Sequence, residues 1–96
     1  MEYSYSWNED KNAVLLRERG LSFEMVVEAI SSGDLVADVP HPDTVKYPHQ
    51  RLLFVIIGDY VCVSPYVLDG NFRFLKTLYR SRKANRRNTG DDDGTS

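Results

Sequence analysis

The feature of this sequence that most limits its fold is a series of β-type segments separated by two-residue turns. Runs rich in Val, Ile, Phe and Tyr predict three strands, at residues 51–57, 60–68 and 72–79. The dipeptides Gly58-Asp59 and Asp69-Gly70 predict hairpin turns, because glycine takes the positive φ that matches the strand twist. Pro65 lies in the central strand, where it cannot donate to the ladder, so a bulge or a break is expected there, near a site. The pattern predicts a three-stranded meander.

Two helices are predicted before the meander, after a short strand at residues 3–7. Asn8 is the predicted N-cap of the first helix, which runs to about Arg19, with Gly20 as the left-handed residue that follows it. Ser22 caps the second helix, and its apolar positions recur at the spacing of one helical face: Phe23, Val26, Val27 and Ile30. With a short strand at residues 35–39, the order predicts an α+β fold in which two helices pack on an antiparallel sheet.

The length of 96 residues corresponds to one small domain. We expect residues 1–87 to form this domain and residues 88–96, which are polar throughout, to form a flexible tail. The longest apolar run, residues 52–57, is far short of the roughly 20 residues of a membrane-spanning helix. No signal peptide is visible, and the one cysteine suits a reducing compartment. The expected location is therefore the cytoplasm, with no membrane contact.

The formal net charge of −2 is the sum of two unequal parts. Residues 73–87 contain seven basic and no acidic side chains and so carry +7, which leaves −9 on the rest of the chain. A basic segment on an acidic body indicates a polyanionic ligand such as nucleic acid. The alternative is that the basic end is simply solvated.

Phosphate binding is the chemistry that this basic segment predicts. Arg80, Arg82 and Lys83 follow directly from a predicted strand, so a rigid scaffold would position them, and arginine donates two parallel hydrogen bonds to phosphate. Tyr79, Tyr66 and Tyr60 add aromatic faces on which an unstacked base can rest. The wider set of candidate RNA-binding residues is Arg73, Lys76, Tyr79, Arg86 and Arg87.

Metal and thiol chemistry are not favoured by the sequence. His41 and His49 share a loop, but with Cys62 in a strand the spacing matches no zinc pattern, so neither a metal nor a cofactor is expected. Cys62 lies in an apolar run, which predicts a buried, unreactive thiol. His49 remains a reserve general acid or base, because the ordinary pKa of histidine suits neutral pH.

Three short motifs are found along the chain. The first is a Trp-(Asp/Asn)-x-x-Lys-x segment at residues 7–12, the second is a Gly-x-(Ser/Thr)-Phe-Glu segment at residues 20–24, and the third is the basic Arg-Lys-Ala segment at residues 82–84. Together they resemble the BrnT family, toxins of type II toxin–antitoxin systems with a RelE-like ribonuclease fold. Two positions depart from the family pattern: Arg19 stands where a histidine is usual, and Asn88 stands where a glutamate is often found.

The resemblance implies a RelE-like fold and a metal-independent endoribonuclease that inhibits growth. Such an enzyme activates a 2′-hydroxyl, stabilises charge on the phosphate and protonates the leaving 5′-oxygen. Arg80 and Arg82 would stabilise the phosphate charge, and Lys83 or Lys11 would act as acid or base, with His49 in reserve.

The resemblance also implies two partners, a cognate antitoxin protein and RNA, the latter as mRNA either free or on the ribosome. The alternative is a non-catalytic module of the same fold that binds RNA or the antitoxin only. A general interaction domain with a dispensable tail is a third and weaker interpretation.

Overall fold

A computed structural model describes residues 3–89 of the chain. It is an α+β fold with a mixed sheet on which helices pack. Both predicted N-terminal helices are confirmed, and a third helix follows the sheet. In chain order the elements are β1 (Ser4–Trp7), α1 (Glu9–Arg19), α2 (Phe23–Ser31), β2 (Leu35–Pro40), β3 (Gln50–Ile57), β4 (Tyr60–Asp69), β5 (Phe72–Leu75), β6 (Tyr79–Arg80) and α3 (Arg82–Thr89).

The sheet is mixed, so the prediction of a purely antiparallel sheet is wrong. Its strand order is β1-β5-β4-β3-β2, and β6 pairs with β4. The neighbours β2, β3, β4 and β5 are antiparallel, whereas β1 runs parallel to β5 with Ser4 opposite Phe72 and Trp7 opposite Leu75. Local turn signals predict only pairings between successive strands. They carry no information on β1, whose partner is almost 70 residues away in the chain.

The meander is present, with two corrections. The second hairpin turn is formed by Gly70 and Asn71 rather than Asp69 and Gly70, since Asp69 pairs with Phe72. The predicted third strand, 72–79, is two strands, β5 and β6, separated by residues 76–78. The bulge or break expected in the central strand at Pro65 is absent, since β4 is continuous there, and the break lies instead in the third strand, opposite Pro65.

Pro65 explains where the break falls. Its pairing with Leu52 on β3 is regular, and its carbonyl oxygen accepts from the backbone N–H of Lys76 at 2.8 Å, on the β5 side. The nitrogen of a strand residue faces the same neighbour as its carbonyl, so the missing donor of Pro65 also faces β5. The ladder to β5 therefore ends at Tyr66, and the ladder to β6 resumes at Val63.

The main core lies between the two N-terminal helices and one face of the sheet. Trp7 of β1 stacks on Phe23 of α2 with ring centroids 5.6 Å apart, and Phe23 is fully buried. The remaining buried members of this core are Leu15, Leu21, Val26, Ala29, Leu53, Val55, Cys62, Tyr66, Leu75 and Leu78. Burial of these side chains is the main favourable term that holds the helices on the sheet.

The junction of α1 and α2 is held by the side chain of Asn12. Gly20 ends α1 with φ of 69°, a left-handed conformation that glycine adopts without strain. The Oδ1 atom of Asn12 accepts from the backbone N–H of Phe23 at 2.7 Å, and its Nδ2 atom donates to Glu24 Oε1 at 2.8 Å. Asn12 thus supplies the cap of α2, because Ser22, although at the N-cap position, makes no side-chain capping bond.

Helix α3 was not predicted, and it packs on the sheet by polar contacts. Ser81 Oγ accepts from the Ala84 N–H at 3.1 Å, which caps the helix. Asn85 binds the edge of β4, where its Oδ1 accepts from the Val61 N–H at 2.8 Å and its Nδ2 donates to the Val61 carbonyl at 3.0 Å. The helix includes Asn88 and Thr89, the first two residues of the predicted tail, and the other residues of that tail, 90–96, lie outside the described part of the chain.

We predict that Asn12→Ala lowers the free energy of unfolding by about 1–3 kcal/mol, because it leaves the buried Phe23 N–H without an acceptor. Urea denaturation at neutral pH measures this. Glu24→Gln is the matched control, since a glutamine oxygen still accepts from Asn12, and it should cost much less. The Asn12 hydrogen bond lowers the pKa of Glu24. The contribution of this carboxylate to stability is therefore present above its unfolded pKa of about 4.3 and is lost as the pH falls through its folded pKa. An equal loss in both variants would contradict the capping role.

Candidate nucleic-acid interface

Strand β6 brings Arg80 to the C-terminal end of α1. Arg80 lies opposite Cys62 of β4, and its Nη1 atom donates to the backbone carbonyl of Arg19 at 3.2 Å. Its guanidinium carbon lies 5.5 Å from the ring centroid of Tyr60, which is half exposed. A carbonyl at a helix C-terminus carries partial negative charge, so this position favours a cation. Arg80 is therefore held in place while it remains exposed to solvent.

Arg19 reaches back to the same part of the chain. Its Nη1 atom donates to the carbonyl of Leu78 at 2.7 Å, while Leu78 itself is fully buried in the core. Arg19 and Arg80 thus tie the end of α1 and strand β6 together through reciprocal side-chain to backbone bonds. Sequence reasoning noted Arg19 only as a departure from the family pattern. One signal in the sequence pointed to a role for Arg19 in the site, because the BrnT family pattern has a histidine at this position.

The first turn of α3 adds two more exposed cations. Arg82 and Lys83 directly follow Ser81, and the contacts of Asn85 with β4 fix the helix that carries them. Lys83 is the third residue after Arg80, so their Cα atoms are at most about 11 Å apart. A groove of about 380 Å³ runs beside Lys83, between α3 and the sheet face opposite the main core.

We call this surface the basic edge, because β6 has no further strand beyond it in the described sheet. Tyr79, 40% exposed, lies on the face that carries the groove, and Tyr60, 50% exposed, lies on the face that carries α1. Aromatic side chains therefore flank the cations on both sides. The members of the basic edge are Arg19, Tyr60, Tyr79, Arg80, Arg82 and Lys83.

Lys76, Arg86 and Arg87 extend the basic character of this region. Lys76 is exposed in the break between β5 and β6, with Nζ 5.4 Å from the centroid of the Phe74 ring. Arg86 and Arg87 continue α3, and their side chains lie outside the described part of the structure. All three remain candidates for RNA contacts.

Arg73 does not belong to the basic edge, although the sequence suggested it as an RNA contact. It is 6% exposed and forms an ion pair with Asp38 of β2, with Nη2 and Oδ2 3.0 Å apart. Its Nη1 atom donates to the hydroxyl of Tyr5 at 2.9 Å. Its position on β5 directs Arg73 to the face that carries α1 and α2, next to Tyr66. Tyr66 is itself fully buried, so the expectation that its ring is available to an unstacked base is wrong. A phosphate on the basic edge does not reach it.

Lys11 and His49 also lie apart from the basic edge. Lys11 is in the first turn of α1, and the eight residues to Arg19 span about 12 Å of helix. His49 is exposed at the start of β3, next to Gln50, which pairs with Val67 at the end of β4 remote from β6. Within the described residues no hydrogen bond or ion pair joins either side chain to Arg80, Arg82 or Lys83. Of the three acid or base candidates, Lys83, Lys11 and His49, only Lys83 lies with the arginines on the basic edge.

Cys62 is fully buried, as the sequence predicted. Burial raises the pKa of its thiol, and the positive charge of nearby Arg80 offsets this in part. Among residues 3–89, no group of three or more His, Cys, Asp or Glu side chains could hold a metal ion. No helix in the same range is long and apolar enough to cross a membrane.

No protein-family model, curated protein or solved structure matches this chain. The resemblance to the BrnT family therefore depends on the three motifs. The structure gives most of the N-terminal motif residues structural roles: Trp7 and Phe23 in the core, Gly20 at a helix end, Asn12 and Glu24 at the helix junction. It places the C-terminal motif, Arg82 to Ala84, at the surface beside the groove.

We predict that Cys62 does not react with a thiol reagent in the native state. Its thiol is buried and held in the neutral form, whereas the thiolate is the reactive species. Absorbance during incubation with 5,5′-dithiobis(2-nitrobenzoate) should rise only when denaturant is added. A rapid reaction of one thiol per chain without denaturant would show that the β4–β6 region opens readily.

Proposed function

We propose that this protein is the toxin of a type II toxin–antitoxin pair and that it cleaves RNA at the basic edge without a metal ion. The observation that carries the proposal is the placement of Arg80, exposed but fixed by the Arg19 carbonyl and the Tyr60 ring, two residues before the Arg82-Lys83-Ala84 motif shared with the BrnT family. A preorganised cation stabilises a developing phosphate charge without reorganising during the reaction. We also propose that the α+β fold is RelE-like, on the resemblance of the three motifs to the BrnT family.

Phosphate recognition is the part of the reaction for which the basic edge is best equipped. Arg80 and Arg82 supply planar donors that suit phosphate oxygens, and the two residues are close enough along the chain to contact one phosphate or two neighbouring ones. Tyr60 and Tyr79 provide rings on which flanking bases can stack. The combination favours single-stranded RNA, whose bases are free to leave the stack.

The chemical step we propose is the attack of the 2′-oxygen on the adjacent phosphorus. The new P–O bond closes a 2′,3′-cyclic phosphate while the bond to the 5′-oxygen breaks. The 2′-hydroxyl proton passes to a base, and the 5′-oxygen takes a proton from an acid. Lys83 is our candidate for that acid, because it shares the basic edge with the arginines and lines the groove beside Tyr79. Lys11 and His49 lie too far from the arginines for this role.

A non-catalytic RNA-binding protein of the same fold is the second candidate. Two observations favour it: Arg19 and Asn88 replace the histidine and glutamate of the family, and no described carboxylate or imidazole bonds to the basic edge. Both candidates require RNA at the same surface, and they differ only in the fate of the bound strand. For either one we propose a cognate antitoxin that carries acidic side chains over the basic edge and a cytoplasmic location.

We predict that Arg80→Ala weakens binding to a single-stranded RNA oligonucleotide by about tenfold, through the loss of charge-assisted hydrogen bonds. Fluorescence anisotropy at several salt concentrations measures this. The slope of log K against log salt should fall by about 0.7, the value for one lost phosphate contact on a single strand. The control is Lys46→Ala, which removes an exposed cation on the loop before β3. Equal losses in both variants would show that RNA binds by overall charge, not at the basic edge.

We also predict that the purified protein cleaves RNA in EDTA and that the products end in a 2′,3′-cyclic phosphate. Lys83→Ala should lower the single-turnover rate by about 10²-fold or more, as expected for loss of a general acid. RNA affinity should change much less, which separates proton transfer from binding. The assay is run with and without ribosomes. RNA that is bound with the predicted salt dependence but stays intact in both conditions would support the non-catalytic alternative.

A further inference from the structure

A second groove, of about 540 Å³, lies on the face of the sheet that carries α1 and α2, away from the basic edge. One wall is the C-terminal half of α2, with Val27, Ile30 and Ser31, and the other includes Tyr5 of β1 and Arg73 of β5. None of the described residues that line the groove is acidic, and Arg73 is its one charged side chain. The apolar wall formed by α2 therefore faces the wall that contains the positive charge of Arg73.

Behind the groove, one residue from each of five strands forms a polar network across the sheet. In spatial order these are Asp38, Arg51, Tyr66, Arg73 and Tyr5. The Asp38 carboxylate accepts from the side chains of both arginines and from the Tyr66 hydroxyl. One carboxylate is therefore paired with two guanidinium groups, so the network has one positive charge in excess. The Arg51 side chain is 37% exposed and therefore partly solvated, whereas the Arg73 side chain is 7% exposed, so an anion is favoured on the Arg73 side of the network.

Arg73 carries most of this excess charge at the groove. It is 6% exposed, and its Nε atom is buried without a hydrogen-bond partner among the described residues. The ring centroids of Tyr3 and Tyr66 lie 4.1 Å and 5.1 Å from its guanidinium carbon. The rings and the single ion pair with Asp38 fix the guanidinium in place beside the groove.

The Tyr5 hydroxyl is the group that a ligand would meet first. Its oxygen accepts from Arg73 Nη1 at 2.9 Å, and its proton is donated to no other residue in the described part of the chain. A hydroxyl that accepts a bond from a cation becomes a stronger donor, because hydrogen bonds in a chain polarise one another. Tyr5 therefore offers an anion one strong hydrogen bond, backed by the guanidinium.

We propose that this groove binds a small organic carboxylate, with its anionic group on the Tyr5 hydroxyl beside Arg73 and its apolar body along Val27 and Ile30. The apolar wall distinguishes such a ligand from a bare phosphate, which would leave that wall in water. The site shares no residue with the basic edge and stands whether or not the protein cleaves RNA.

The test is a titration of the full-length protein with phenylacetate, followed in ¹H–¹⁵N correlation spectra. We expect saturable shifts at the backbone amides of Tyr5 and Ser31 and at the Arg73 Nε–H, with a dissociation constant of about 1 mM or tighter for a ligand of this size. Phenylacetamide has the same shape without the charge and should give no saturation. Inorganic phosphate should bind at least about tenfold more weakly than phenylacetate.

Two variants locate the binding. Tyr5→Phe removes only the hydroxyl and should weaken binding about tenfold. Ser31→Trp, at an exposed position on the groove rim, should abolish binding by filling the groove, and it leaves the polar network untouched. Tyr60→Phe, on the basic edge, is the matched control and should bind as the parent protein does. The proposal is overturned if phenylacetate fails to saturate, if phenylacetamide or phosphate binds equally well, or if Ser31→Trp leaves binding unchanged.

Discussion

The architecture of this protein depends on one missing hydrogen-bond donor, the backbone nitrogen of Pro65. Because that nitrogen faces β5, the ladder on this side of β4 cannot continue past Tyr66. The chain leaves the sheet for residues 76–78, where Lys76 bonds to the Pro65 carbonyl and Thr77 accepts from the Ser64 hydroxyl at 2.8 Å. Leu78 then enters the core, and β6 and α3 follow. The whole basic edge is built on the part of the chain beyond this break.

The break also separates two arginines that look equivalent in the sequence. Arg73 precedes it and is buried against Asp38 and three tyrosines. Arg80 follows it and lies exposed at the end of α1. In our proposals the buried arginine contributes to a small-molecule groove, whereas the exposed arginine with its fixed geometry binds phosphate. A single basic segment thus supplies two electrostatically distinct sites.

Local signals predicted the elements well and the site only in part. The helices α1 and α2, the left-handed Gly20 and the buried Cys62 all follow from short-range patterns of capping and apolar spacing. Helix α3 was missed, because its residues are almost all polar and it is held by Ser81 and Asn85, whose partner Val61 is 24 residues away from Asn85. Arg19 was missed as a member of the site for the same reason, since its contacts with residues 78 and 80 are long-range.

The sequence by itself determined that this chain is an α+β protein with two N-terminal helices, a meander with an irregularity near Pro65 and a basic C-terminal segment. Those features arise from residues close together in the chain, so propensity, capping and turn chemistry are enough to predict them. Only the tertiary structure decided that β1 pairs parallel to β5, that Arg73 is buried, and that Arg19 and Tyr60 join Arg80. The physical reason is that these contacts join residues distant in the chain, and such contacts form only when strands from both ends meet in one sheet.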